Sequence, residues 1–116
     1  MFDPNEHRTE CEKYLSLYLE CQVDFIRAKK LTKSTREAPW RLEVEVNGVT
    51  QSYVLQLDPK NIEHEYQVLK VMETIPIPTP RVYGLDLQGE ALGIACFFSD
   101  FFPYFFIAAG IQQFFQ

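Results

Sequence analysis

The sequence predicts an α+β domain in which a small antiparallel sheet packs against helices. Residues 40–46 alternate strictly between apolar and polar side chains, which is the period of a half-buried strand. Asn47-Gly48 follows directly and is typical of a two-residue hairpin turn. Two Asp-Pro pairs, Asp3-Pro4 and Asp58-Pro59, each precede apolar residues at helical spacing, as the start of a helix does.

The first helix is predicted from the N-terminus to about Glu20. Asp3-Pro4-Asn5-Glu6 combines an N-cap residue, a proline at the first helical position and a glutamate in the first turn. We expect the helix to pack through one apolar stripe. Side chains at the spacing of a single helix face form this stripe, namely Cys11, Tyr14, Leu15 and Tyr18.

Three strands are predicted after this helix. Val23–Lys30 has a strand-like pattern, and a polar loop containing Pro39 separates it from the strand at 40–46. The hairpin partner of that strand is predicted at 51–57, where one face is apolar and the other is mixed. The three segments therefore form the first part of an antiparallel sheet.

A second helix and two short strands complete the predicted domain. Apolar residues at helical spacing predict the helix over 60–74, and the prolines of 75–80 end it. The strands are predicted at 81–87 and 91–98, with a turn at Gln88-Gly89 between them. The result is a five-stranded antiparallel sheet with one packed helix between strands 3 and 4, plus an N-terminal helix.

Composition and charge exclude several function classes. The chain has 116 residues, enough for one domain, and its net charge of −5 argues against a general binder of nucleic acids. The three cysteines are widely spaced and suggest neither a disulfide framework nor a metal site. The N-terminus is charged and lacks the apolar segment of a secretory signal. These observations predict a cytoplasmic protein.

The C-terminal segment 104–116 is strongly apolar. Together with the residues just before it, it is interrupted by Pro103 and Gln112-Gln113 and is shorter than the ~20 residues that a membrane-spanning helix needs. It also lacks the basic residues of an interfacial anchor, so we expect no membrane binding. Two alternatives remain: the segment folds back onto the sheet domain, or it forms an apolar patch that promotes self-association.

Several short motifs occur in a fixed order after the first hairpin. Residues 65–69 read Glu-Xaa-Xaa-Val-Leu, 78–82 read Pro-Xaa-Pro-Arg-Val, and Leu92-Gly93 leads to Asp100. With these motifs, residues 23–102 resemble the aminoglycoside phosphotransferase and choline-kinase-like family. The resemblance implies the small nucleotide-binding lobe of a kinase-like fold, ATP with magnesium as the cofactor, and transfer of a phosphoryl group to a small-molecule hydroxyl.

The resemblance also implies a phosphate-binding side of the lobe. Ser34 and Thr35 lie in the loop where the family covers the phosphates, although this loop contains no glycine. Gln56 stands where the family carries Lys or Arg, and Glu65 matches the glutamate that pairs with that cation. The alternative is that the loop and Glu65 are only solvated polar groups.

An adenine-binding side is implied at the end of the fifth strand. There, Phe98, Ser99 and Asp100 are expected to offer backbone hydrogen bonds to the base, with Leu57 and Ile94 as apolar neighbours. The alternative is that these aromatic and aliphatic side chains are ordinary core residues.

The catalytic groups that the family carries in its large lobe are missing from this sequence. His7 and His64 are the two histidines, and neither begins the family's His-Gly-Asp segment. We therefore expect a fragment without catalytic residues, divided into an N-terminal helix (1–22), a nucleotide-binding lobe (23–103) and a remnant of the large lobe (104–116). The alternative is a non-enzymatic interaction or self-association module derived from such a lobe.

Overall fold

A computed structural model describes residues 2–31, 39–57, 62–76 and 79–101 of the chain. The predicted α+β fold is confirmed in its outline, with a five-stranded antiparallel sheet in the order β1-β2-β3-β5-β4 and two helices. The elements along the chain are a 3-10 turn (Pro4–Glu6), α1 (Arg8–Leu19), β1 (Val23–Lys30), β2 (Trp40–Val46), β3 (Val49–Leu57), α2 (Ile62–Met72), β4 (Val82–Asp86) and β5 (Cys96–Asp100).

The turn between β2 and β3 forms as the sequence predicts. Asn47 and Gly48 have φ angles of 52° and 77°, the two positive values that a type I′ turn requires. The resulting register places Trp40 opposite Leu55 and Val44 opposite Gln51. Every side chain of β3 is thereby assigned to a face of the sheet.

Two element boundaries differ from the prediction. The segment predicted as a strand over 91–98 begins instead as a turn, in which Gly93 N donates to Gly89 O at 2.8 Å and Ala91 N donates to the Asp86 carboxylate. Both glycines have positive φ angles that other residues rarely adopt, which explains why no strand forms there. At the N-terminus, the helix predicted to begin at Asp3 starts with a 3-10 turn, and α1 begins at Arg8.

One face of the sheet packs against α1, and we call it the α1 face. Tyr14 and Leu15 of α1 are almost fully buried against it. Residues from β2, β3 and β5 form the floor of this core, including Leu42, Val44, Leu55, Leu57, Cys96 and Phe98. The N-terminal helix therefore shares a single core with the sheet.

The opposite face of the sheet carries α2, and we call it the α2 face. Ile62 of α2 and Phe97 of β5 are buried at 2% and 0% exposure, and the ring of Tyr66 contacts Phe97 edge-on at 5.6 Å. Val82 of β4 completes this smaller cluster. Since α2 contacts β4 and β5, it lies over the β4 side of this face, away from β1 and β2.

The outer edge of β1 is closed by side chains from the N-terminal region. The backbone N–H of Phe25 donates to the Glu12 carboxylate at 2.7 Å, and its carbonyl accepts from Arg8 at 3.0 Å. The backbone N–H of Ala28 donates to the side-chain oxygen of Asn5 at 2.9 Å, and the Asn5 side-chain nitrogen donates to the Ala28 carbonyl at 3.0 Å. An unpaired strand edge invites pairing with another chain, so these bonds protect β1 from it.

Candidate functional site

The α2 face holds the first group of sequence-predicted site residues. Gln56 of β3 is directly opposite Phe97 of β5, and residues that are opposite in an antiparallel pair point to the same face. Since Phe97 packs beneath α2, the half-buried Gln56 side chain also lies on that side. The structure therefore places Gln56 on the α2 face, on the strand beside β5, which α2 contacts.

Glu65 lies on the side of α2 that faces the sheet. The buried and half-buried residues of this helix fall at one helical spacing, namely Ile62, Glu65, Tyr66, Leu69 and Met72. Glu65 is thus half-buried within the packing stripe and has an interaction partner in the fold. The alternative, in which Glu65 is a freely solvated side chain on the outer side of the helix, is therefore wrong.

Ser99 completes the group on the α2 face. It is opposite both Val54 of β3 and Val82 of β4, and it is 6% exposed. Its hydroxyl donates to the Asp100 carbonyl at 3.2 Å. Gln56, Ser99 and Glu65 therefore place an amide, a buried hydroxyl and a carboxylate on the same face of the sheet.

Phe98 and Asp100 point to the opposite face. The Phe98 ring is fully buried in the α1-face core, stacked on Tyr83 at 5.0 Å. The Asp100 carboxylate accepts from the Tyr83 hydroxyl at 3.1 Å and from the Arg81 backbone N–H at 3.2 Å. Burial, with the neighbouring carboxylate as the second cause, raises the pKa of Tyr83 to about 12. These side chains stabilise the β4–β5 pair. The backbone of 98–100 pairs with β3 on one side and with β4 and Arg81 on the other, so the expectation that it offers hydrogen bonds to a base is wrong.

The other expected neighbours of the adenine ring are not at an open surface. Leu57 is 2% exposed and belongs to the core beneath α1, and Ile94 packs against the same core. The expectation that Leu57 offers an apolar surface to a base is therefore wrong.

Ser34 and Thr35, the residues expected to contact the phosphates, lie outside the described residues. Where β1 and β2 enter their loop, Leu31 N donates to Pro39 O at 3.0 Å.

Charged residues on β1 and β2 also belong to the α2 face, and the sequence alone did not single them out. The Arg41 guanidinium lies 4.4 Å from the centre of the Phe101 ring, and its Nε donates to the Ser52 hydroxyl at 3.1 Å. Glu43, although only 8% exposed, pairs with Arg27 at 2.6 Å. The alternation in 40–46 predicts a polar face, but which residues meet across it depends on the register.

The chemical groups at this site are suited to binding. Among the described residues, no three His, Cys, Asp or Glu side chains gather in a way that could hold a metal ion. The buried thiols are poor nucleophiles, because burial raises the pKa of Cys11 to about 12 and that of Cys96 to about 11. The amide can donate and the carboxylate can accept hydrogen bonds with a polar ligand.

The comparisons leave this chain without a matching relative. None of the protein-family models, curated proteins or solved structures compared with it matches. Within the described part of the chain, no helix is both long and apolar enough to cross a membrane. The function must therefore be inferred from the geometry of the α2 face and from the sequence motifs.

Proposed function

We propose that residues 23–103 form the ATP-binding small lobe of a kinase-like small-molecule phosphotransferase. The observation that carries the proposal is the position of α2. It follows β3 in the chain, packs on the face that holds Gln56 and Ser99, and turns Glu65 toward the sheet. A full-length relative would transfer a phosphoryl group from ATP with magnesium to a small-molecule hydroxyl, whereas this chain binds without catalysing.

The proposed binding mode places the phosphates of the nucleotide on the α2 face. Gln56 would donate its amide N–H to a phosphate oxygen, with Glu65 positioning that amide and the 31–39 loop, including Ser34 and Thr35, above the phosphates. Because an amide cannot neutralise phosphate charge, we expect affinity weaker than that of a kinase with a cation at this position.

A substitution at Gln56 tests this proposal. Gln56→Lys should tighten ATP–magnesium binding about tenfold, because a charge-assisted hydrogen bond adds roughly 1.4 kcal/mol over a neutral one. Thr50→Lys is the matched control, since it adds the same charge on the same strand and face about 20 Å away. Isothermal titration calorimetry measures the affinities, and thermal melting gives an independent readout because bound nucleotide raises the midpoint.

Two outcomes would contradict the proposal. One is the absence of any heat or melting shift for the natural chain and for Gln56→Lys at millimolar nucleotide. The other is an equal gain for Gln56→Lys and Thr50→Lys, which would indicate general electrostatic attraction instead of a phosphate contact at Gln56.

A non-enzymatic interaction module is the second candidate, and a specific observation favours it. The outer side of α2 exposes Val68 and Val71 at 45% and 64%, and Ile75, which follows the helix, is 44% exposed. Exposed apolar stripes are typical of interaction surfaces. The apolar segment 104–116, the other expected contributor, lies outside the described residues. Light scattering that shows size rising with concentration, with no response to nucleotide, would favour this candidate.

We also propose a cytoplasmic location. The three cysteines, Cys11, Cys21 and Cys96, are free thiols in the fold, as is usual in a reducing compartment.

A further inference from the structure

The charges on the α2 face of β1 and β2 are sorted along the strands. Asp24 is opposite Glu45, Arg27 is opposite Glu43, and Lys29 is opposite Arg41. The order is thus an acidic pair, an ion pair and a basic pair. We call the six residues the charged strip, and its members are Asp24, Arg27, Lys29, Arg41, Glu43 and Glu45.

The two like-charged pairs are unfavourable within a single molecule. Like charges directly opposite each other destabilise a sheet. The acidic Glu45 and the basic Arg41 are four residues apart on β2, which is about 14 Å at the rise of a strand. This exceeds the ~8 Å screening length at physiological salt, so the two ends do not neutralise each other. Glu43 also lies 3.9 Å from Arg41 and offsets part of the charge at the basic end.

The charged strip is accessible. Three of its members are exposed, namely Asp24, Lys29 and Glu45, and the Arg27 side chain is 58% exposed. The helix α2 contacts β4 and β5, on the far side of the sheet from β1 and β2. No other described residue forms an ion pair with Lys29 or Asp24. The outer edge of β1, in contrast, is closed by Asn5, Arg8 and Glu12. A second chain can therefore approach β1 and β2 through the face more readily than through the edge.

We propose that the charged strip is a docking surface for a second copy of this chain. The two copies are related by a two-fold axis that lies parallel to the sheet and perpendicular to the strands, at the level of Arg27 and Glu43. The strips of the two copies then run in opposite directions. It places the basic pair Lys29 and Arg41 over the acidic pair of the second copy, and the acidic pair over the basic one. The interface is self-complementary, as a two-fold dimer requires.

The overall charge also favours this face. The strip contains three acidic and three basic side chains and is neutral, although the chain as a whole carries −5. Two copies therefore repel each other least where their strips meet. The strip is smaller than the ~800 Å² per partner of a standard interface, so we expect a weak dimer that forms at low salt and dissociates at high salt.

Charge reversal at one end tests the proposal by sedimentation velocity. Asp24→Lys with Glu45→Lys makes the strip entirely basic apart from Glu43, and the dimer should disappear at low salt. Neither side chain has a partner in the described fold, so folding should be unaffected. The control, Glu10→Lys with Glu90→Lys, changes the net charge equally at exposed positions outside the strip and should leave the dimer intact.

Reversal at both ends gives the decisive result. Adding Lys29→Glu and Arg41→Glu to the first variant restores both complementarity and the natural net charge of −5, so the dimer should return. A chain that is monomeric at low salt, or one whose dimer survives the one-ended reversal, would overturn the proposal. So would a fully reversed variant that folds, as circular dichroism reports, but stays monomeric.

Discussion

Replacing Phe98 by alanine is expected to lower the free energy of unfolding by about 3–5 kcal/mol, the cost of removing a fully buried phenyl ring. The side chain has 0% exposure and is surrounded by aromatic rings. Its ring centre lies 5.2 Å from that of Tyr14, 5.8 Å from that of Tyr53 and 5.0 Å from that of Tyr83. The ring joins α1 to three strands, so its loss leaves a cavity that the surrounding elements cannot easily fill.

Chemical denaturation measures this effect, and a single domain of this size has only about 5–15 kcal/mol of total stability. Phe98→Leu is the control, since it keeps most of the apolar volume and should cost clearly less. A loss below about 1 kcal/mol for Phe98→Ala, the usual size of a surface effect, would show that Phe98 is not at the centre of the core.

Gly84→Ala is expected to be the second severe substitution, with a loss of about 2–5 kcal/mol from two separate causes. Gly84 has a φ angle of 64°, in the left-handed region that side chains disfavour. A Cβ atom there would also lie 2.9 Å from the Tyr18 ring and 3.0 Å from the Tyr14 ring. In addition, the Tyr14 hydroxyl donates to the Gly84 carbonyl, so displacing the strand would break a buried hydrogen bond.

Gly48→Ala separates the two causes. Gly48 also has a positive φ angle, 77°, but a Cβ atom there meets nothing within 4 Å. It should therefore cost only the conformational part, about 1–2 kcal/mol. Equal losses for the two variants in parallel urea titrations would contradict the close contact between β4 and α1.

Much of the fold is predictable from the sequence because its signals are local. The alternation of 40–46 and the Asn47-Gly48 turn determine the central hairpin without reference to the rest of the chain. The helical spacing of Cys11, Tyr14 and Leu15 likewise predicts the buried side of α1, and all three are buried. Each of these patterns has the period of the structure it forms.

The differences from prediction arise where distant segments meet. Tyr18, the last member of the predicted stripe, is 43% exposed because it packs over the edge of the core at Gly84. In β1, a bulge between Phe25 and Arg27 changes which side chains reach each face. The glycine-containing turn at 89–93 replaces part of a predicted strand, since its left-handed backbone cannot pair in a sheet. None of these features has a local periodicity.

The candidate site was predictable only in part for the same reason. Gln56 and Glu65 could be assigned to β3 and α2 because the hairpin and the helix were both recognisable. The direction of Asp100, which turns toward Tyr83, depends on the register of β5 and could not be read from the sequence. The charged strip likewise appears only when the register of β1 against β2 is known.

The most direct test of the central proposal is nuclear magnetic resonance of the isotope-labelled chain during titration with ATP and magnesium. We predict that the signals of Gln56, Glu65 and Ser99 shift together and saturate with one binding constant, while those of the α1 face, such as Leu15 and Leu42, stay unchanged. Signals that do not move at millimolar ATP, or shifts confined to residues away from the α2 face, would contradict nucleotide binding at this site.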